Sequence, residues 1–103
     1  MANRHRGEIE AEFNGAKFTL VLTLGALSEL EHSYGGEDVL SLAQRFEQGR
    51  IKATDAIKVI GAGLRGAGHN VTDEEVGRFT VRDGAAGFMR IVVELLKATF
   101  AVE

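Results

Sequence analysis

The first part of the chain alternates between polar and apolar side chains, which is the period of a β-strand. Residues 8–13 (EIEAEF) and 16–22 (AKFTLVL) form two such runs, and Asn14-Gly15 lies between them. Asn-Gly is the pair that best tolerates the two positive φ angles of a type I′ turn. The pattern therefore predicts an antiparallel hairpin closed by a two-residue turn.

A two-residue turn also predicts which residues face each other across this hairpin. One face pairs only apolar residues: Phe13 with Ala16, Ala11 with Phe18, and Ile9 with Leu20. The other face pairs polar residues: Glu12 with Lys17, and Glu10 with Thr19. A slip by one residue would break both matches, so the register is predicted together with the turn.

After Thr23 the apolar period lengthens to about 3.6 residues, which predicts helices. The first helix places its apolar side chains near one face and stops at Gly35-Gly36; they are Leu24, Leu27, Leu30 and Tyr34. The second begins after two acids, Glu37 and Asp38, which favour a helix N-terminus. Its apolar positions continue until Gly49 and are Val39, Leu40, Ala43 and Phe46.

The second half of the chain predicts two or three further helices. One starts near Thr54, carries Ile57, Ile60 and Leu64, and weakens through residues 61–68 because each interior glycine costs about 1 kcal/mol. A capping box at 72–75 starts a short helix to about residue 79. Asp83 is predicted to cap the last helix, whose core stripe consists of Phe88, Ile91, Val92, Leu95, Leu96 and Thr99.

These elements predict an α+β fold with an N-terminal β-hairpin followed by four or five packed α-helices. The length of 103 residues suits one domain. We expect a flexible N-terminal tail over residues 1–6 and a single hairpin-plus-helical-bundle domain over residues 7–103.

Composition excludes several classes of protein. The chain has no cysteine, which excludes disulfides, thiolate zinc sites and cysteine nucleophiles. Its formal net charge of −3 does not favour nucleic-acid binding. No apolar run approaches the ~20 residues of a membrane span, and no apolar segment follows the N-terminal MANRHRG. We therefore expect a cytosolic protein without a signal peptide and without membrane partners.

Residues 61–66 (GAGLRG) satisfy the G-x-G-x-x-G motif of dinucleotide-binding proteins, and Asp83 follows about twenty residues later. That motif requires a buried strand before it and a helix N-terminus after it, within a larger βαβ fold. Residues 53–60 suit a helix as well as a strand, and 67–72 suit a loop. Close helix packing is therefore the favoured interpretation of these glycines, and a cofactor site the alternative.

Candidate catalytic and metal-binding chemistry is weak elsewhere. The three histidines, His5, His32 and His69, lack ligand-spaced partners, and no serine lies in a G-x-S-x-G elbow. The sequence predicts no catalytic residue, no metal site and no cofactor, and hence a protein that is not an enzyme.

The last helix carries apolar residues beyond its core stripe, namely Met89, Val93, Phe100 and Val102. A central helix buried on most sides would explain them. Alternatively, part of this face contacts another chain, with Met89, Val93 and Phe100 as the partner-binding residues. The hairpin edge offers a second route, self-association by strand addition.

Four stretches resemble the gene transfer agent tail family, small proteins encoded among phage-type tail genes of alphaproteobacteria. They are residues 6–15 (RGEIEAEFNG), 22–31 (LTLGALSELE), 59–68 (VIGAGLRGAG) and the closing 98–100 (ATF). The resemblance covers roughly residues 6 to 100. The resemblance implies that residues 59–68 are part of the helical region, which agrees with the helix-packing interpretation of the glycines.

The resemblance implies a role in tail morphogenesis. Such proteins are similar to tail assembly chaperones, which shield the tape measure protein until tail tube subunits polymerise around it. The implied partners are therefore the tape measure protein and the tail tube protein. The family is also labelled tail tube protein, so a structural component of the tail particle is the alternative. A structural component would form stable rings, whereas a chaperone alone would be monomeric or weakly associated.

Overall fold

A computed structural model describes residues 2–100, apart from the side chain of Arg4. A short 3-10 helix at Arg4–Arg6 precedes β1 (Glu8–Phe13), β2 (Ala16–Val21), α1 (Leu24–Ser33), α2 (Val39–Glu47), α3 (Ala53–Gly66), α4 (Asp73–Val76) and α5 (Gly84–Phe100). The predicted α+β fold, a hairpin followed by packed helices, is confirmed. Val102 lies outside the described residues, and the division into a tail and a single domain stays a prediction.

The hairpin has the predicted register. β1 and β2 are antiparallel, and the partners run from Phe13 opposite Ala16 to Glu8 opposite Val21. Both turn residues adopt positive φ, 55° at Asn14 and 80° at Gly15, as a type I′ turn requires. Local alternation and turn chemistry therefore specify this element without help from the rest of the chain.

The apolar face of the hairpin forms one wall of the core. Phe13 is fully buried, and its ring lies 5.4 Å from that of Phe79 and 6.1 Å from that of Phe88. At the turn, the backbone N–H of Asn14 donates to the carbonyl of Thr80 at 2.9 Å. The Thr80 N–H donates in return to Asn14 Oδ1 at 2.8 Å. The loop before α5 is thus fastened to the hairpin.

The first two helices begin at side-chain caps, and two leucines depart from prediction. Thr23 accepts from the Ala26 N–H at 3.1 Å, and Asp38 from the Ser41 N–H at 2.8 Å. Leu24 and Leu40, both predicted on core faces, are 85% and 53% exposed. Each lies in the first turn of its helix, where no neighbouring element covers it, and Leu42 is buried in α2 in place of Leu40.

The third helix runs unbroken through Gly61 and Gly63 and ends at Gly66, so of the four glycines predicted to weaken it only Gly68 lies beyond its end. A Cβ on Gly63 would lie 2.7 Å from Leu95 Cδ2, and one on Gly66 would collide with the carbonyl oxygen of Val21. The absence of side chains here lets β2 and α5 approach the helix closely. That packing replaces the stability that glycine costs a helix in isolation.

The last two helices follow their predicted starts. The capping box at α4 is present, with Thr72 and Glu75 each accepting from the other's backbone N–H, but the helix ends at Val76 rather than near Phe79. Asp83 occupies the cap position of α5, and its carbonyl accepts from the Gly87 N–H. The carboxylate of Asp83 contacts Arg90 at 2.6 Å, so the expected side-chain cap is replaced by an ion pair.

Candidate partner-binding surface

The core stripe of α5 is confirmed in its middle. Val92, Leu95 and Leu96 are buried at 5% exposure or less, and Phe88 and Ile91 are half-buried. Met89 and Val93 are half-buried as well, and Phe100 is 37% exposed. At 100° per residue, these last three lie within about 40° of one another. They form one stripe, beside the core stripe rather than inside it.

Met89 and Val93 of this stripe form one wall of an apolar groove of about 510 Å³. Phe46 at the end of α2 and Ile51 in the following link stand opposite Met89 and Val93. Charged side chains border this groove: Arg90, Glu94 and Lys97. An apolar floor with a charged rim is the usual anatomy of a protein-binding surface. We call these residues the α5 groove.

The structure thus brings together two of the three predicted partner-binding residues. Phe100 lies about 16 Å farther along the helix than Met89 and is outside the lining of the α5 groove. Met89 also borders a second apolar cleft, of about 170 Å³, between α3, α4 and the start of α5. Ile57 and Phe88 line this cleft, and the small residues Gly77 and Ala85 leave it open. The sequence predicted Ile57 and Phe88 as core residues, with no sign of the cleft.

The edge of β1 is a second exposed surface. In a hairpin with a two-residue turn, the outward backbone groups on β1 belong to Glu8, Glu10 and Glu12. The Glu8 N–H donates to the Asn3 carbonyl at 3.0 Å. Within residues 2–100, the backbones of Glu10 and Glu12 form no hydrogen bond outside the hairpin. The predicted open edge is therefore two residues long and bears exposed carboxylates.

Arg65 joins three helices through charge, an arrangement that sequence reasoning missed. Its guanidinium bonds both carboxylate oxygens of Glu29 on α1 and lies 3.0 Å from Asp73 on α4. Hydrogen bonding to Glu29 is the main cause that raises the pKa of Arg65 above its ordinary value. The available signal was an arginine inside a glycine-rich helix. Its role is structural, because it holds α1 and α4 against α3.

A buried acid at the start of α3 was also missed. Asp55 is 6% exposed and accepts from the Lys52 backbone N–H at 2.8 Å and from the Tyr34 hydroxyl. Burial, followed by the bond to Asp55, raises the pKa of Tyr34 above its ordinary value. Lys58 Nζ lies 4.5 Å from the centre of the Tyr34 ring. An acid at the third position of a helix was the available signal for this contact.

The glycine motif and the histidines do not combine into a chemical site in the described part of the chain. Residues 61–66 lie inside α3, so the motif packs helices, as its favoured interpretation holds. His32 is exposed on α1, and His69 contacts the Phe18 ring at 5.1 Å. Residues 2–100 contain no cluster of three metal-ligating side chains. Among them, no helix is long and apolar enough to cross a membrane.

Comparison with known proteins gives the class to which this fold and surface belong. The family described as "Phage tail tube protein, GTA-gp10" matches residues 6–102. Because the match spans nearly the whole chain, this protein belongs to that family of gene transfer agent tail proteins, as the resemblance predicted. No curated protein and no solved structure matches significantly.

Proposed function

We propose that this protein is a non-enzymatic tail assembly chaperone that binds the tape measure protein and other tail proteins in the cytoplasm of the producing cell. Membership of a phage tail protein family supports the setting. The α5 groove is the observation that carries the binding role. Its apolar wall, formed by Met89 and Val93, is only half-buried and faces the groove, although Met89 also packs against the core.

The mechanism is reversible burial of apolar surface. An unassembled tape measure is long and exposes apolar segments, and such surfaces aggregate unless they are covered. The α5 groove would receive one face of such a segment between Val93 and Ile51. Its shallow form and charged rim suit a complex that dissociates when tube subunits compete for the tape measure. Phe100 would extend the contact along the same stripe.

Binding tests the proposal directly. Met89→Asp combined with Val93→Asp should abolish co-purification with the tape measure protein, because a carboxylate in the groove must be desolvated on binding. Circular dichroism should show unchanged helix content. Leu24→Asp with Leu40→Asp is the matched control, since both leucines are exposed outside the groove, and it should bind normally. Equal binding by both double variants would contradict the proposal.

The family description favours a second candidate, a structural component of the tail. Mass spectrometry of purified tail particles and of producing-cell lysate separates the two roles. A chaperone should be present in the lysate and absent from finished particles, because it leaves before the tail is complete. A fixed stoichiometry in finished particles would instead establish the structural role and exclude our first choice.

A further inference from the structure

A second apolar cavity lies beside the α5 groove, and every residue that lines it is apolar. It has a volume of about 170 Å³ and is bounded by α3, α4 and the first turns of α5; we call it the α4 cleft. Within its lining, Ile60 and Val76 are buried, and Ile57 and Phe88 are half-buried. A charged group inside the cleft would lose its water and find no side chain to pair with. The occupant of this cleft is therefore apolar.

Gly77 keeps the edge of the α4 cleft open without a conformational need for glycine. Its φ of −62° and ψ of −16° lie in the helical region that most residues adopt. A Cβ added there would lie 3.4 Å from the Glu74 carbonyl oxygen and 3.5 Å from Ile57 Cδ1, which are ordinary contacts. A larger residue would therefore fit, cover apolar surface and restrict the unfolded chain. The protein forgoes this stability and retains an open cavity, which is typical of a binding site.

The size of the α4 cleft restricts what can enter it. A closed apolar cavity of about 150 Å³ holds one benzene molecule. The α4 cleft is slightly larger, and its edge contains three small exposed residues, Ala53, Gly77 and Ala85. One leucine or phenylalanine side chain can therefore enter while the backbone that carries it stays outside. A second large side chain has no room.

Met89 joins the α4 cleft to the α5 groove. It lines both cavities, whereas Phe88 lines only the cleft and Val93 only the groove. Its unbranched side chain is flexible and adapts to apolar neighbours on either side. The cleft is therefore continuous with the surface that we propose binds a partner, and one segment can contact both.

Two charged side chains beside the α4 cleft already have partners. Arg78 and Arg90 each follow a residue of the lining in sequence. Arg78 pairs with Glu74 at 3.5 Å, and Arg90 pairs with Asp83 at 2.6 Å. Neither arginine therefore requires an acidic residue next to the occupant, which favours an uncharged apolar segment.

We propose that the α4 cleft is an anchor site for one leucine or phenylalanine side chain of the partner segment that occupies the α5 groove. The identity of that segment as part of the tape measure protein rests on the proposed function, whereas the affinity of the cleft for an apolar group does not. A second copy is the alternative occupant, because its Leu24 is 85% exposed. Continuity with the α5 groove favours the partner segment.

Benzene titration of the purified protein tests the cleft without any partner. Benzene offers only apolar chemistry and suits the volume of the cleft. Nuclear magnetic resonance should show saturable shifts of the methyl groups of Ile57, Ile60 and Val76. Shifts that do not saturate, or that appear at Val93 and not at these three residues, would overturn the proposal. Shifts of the same methyl groups that grow with protein concentration before benzene is added would also overturn it, in favour of a second copy.

Two variants fill the α4 cleft from different elements, Gly77→Leu from the end of α4 and Ala85→Leu from α5. Each should lower the affinity for benzene at least about tenfold, because the added side chain takes the place of the ligand. Neither should lower the melting temperature. Gly25→Leu is the matched control, since it makes the same substitution on α1 outside the lining of the cleft, and it should bind benzene normally. Unchanged affinity in both filled variants would contradict the proposal.

Co-purification with the tape measure protein separates this proposal from the proposed function. Val93→Asp alters the lining of the α5 groove alone, and Gly77→Leu that of the α4 cleft alone. Each should weaken binding at least about tenfold. Normal binding by Gly77→Leu together with loss of binding by Val93→Asp would overturn the anchor site and leave the chaperone role intact. A wild type that takes up benzene in the cleft but does not bind the tape measure protein would contradict the proposed function alone.

Discussion

The hairpin and α5 cover the same core but treat their outer sides differently. The hairpin places apolar residues inward and Glu10, Glu12 and Lys17 outward. The one large apolar side chain on its outer face is Val21, at the end of β2 far from the turn. The last helix buries Val92 and Leu95 and still presents a second apolar stripe. Under the proposed function, a partner covers this additional apolar surface.

The difference also concerns how each element is specified. Alternation and an Asn-Gly turn assign every hairpin residue to one of two faces. The residues of a helix do not divide into two faces in this way. The burial of its half-buried positions depends on which neighbouring elements pack against them. The hairpin therefore has a charged outer side, whereas α5 has an apolar outer stripe beside its core stripe.

A side chain added where the hairpin packs on α3 should lower the free energy of unfolding the most. Gly66→Val places a Cβ against the carbonyl oxygen of Val21, and neither backbone can move without displacing β2. We expect a loss of about 4 kcal/mol or more, close to the whole stability of a small domain. Urea denaturation monitored by circular dichroism measures it.

Gly25→Ala is the matched control for this substitution. Gly25 also lies in a helix, but a Cβ there meets its nearest atom, Thr23 Oγ1, at an ordinary 3.8 Å. Alanine should therefore stabilise α1 by about 0.5–1 kcal/mol. A similar loss in both variants would show that the contact with β2 is not the cause, because helix propensity favours alanine and valine over glycine at both positions.

The sequence predicts the turn and the register of the hairpin because their determinants are local, although β2 ends at Val21, one residue before the predicted end. Sequence prediction fails where tertiary contacts determine which residues are buried. Leu24 and Leu40 continue helical apolar stripes, yet each lies in a first turn that nothing covers. The unbroken course of α3 depends on β2 and α5, which are remote in sequence from its glycines.

The candidate surface was predictable only in part. Met89 and Val93 follow from the width of the apolar stripe on α5. The opposite wall, Phe46 and Ile51, comes from a different part of the chain, and no periodicity connects the two.

A substitution in the turn of the hairpin should destabilise the protein less than one at its contact with α3. Gly15 has φ of 80°, which a Cβ-bearing residue adopts at a cost, and no atom crowds the position. Gly15→Ala should therefore lower the free energy of unfolding by about 1 kcal/mol through backbone strain alone. Thermal melting should shift by about 4–8 °C. Lys17→Ala, exposed two residues away, should change it by no more than about 0.5 kcal/mol.

The helical layer also contains a reporter that the hairpin lacks, because Tyr34 is the only tyrosine. Its folded pKa is raised above the unfolded value by burial and by Asp55. The contribution to stability is therefore complete below the unfolded pKa of about 10 and is lost as pH rises through the folded value. Ultraviolet titration should show tyrosinate appearing above pH 10, and Asp55→Asn should lower the midpoint. An ordinary midpoint in the wild type would contradict the burial of this contact.

Substitutions in the outer stripe of α5 should have the smallest effect on stability. They also give the sharpest test of the difference between α5 and the hairpin. Val92 and Val93 are neighbours, but Val92 is fully buried and Val93 is half-buried in the α5 groove. Val→Thr keeps the shape and adds a hydroxyl, so Val92→Thr should cost about 1–3 kcal/mol and Val93→Thr less than about 0.5. Affinity for the tape measure protein should respond in the opposite order, with Val93→Thr the weaker binder. An equal loss of stability in the two variants would show that Val93 belongs to the core. The outer stripe of α5 would then offer no free apolar surface there, because the same methyl groups cannot both fill the core and contact a partner.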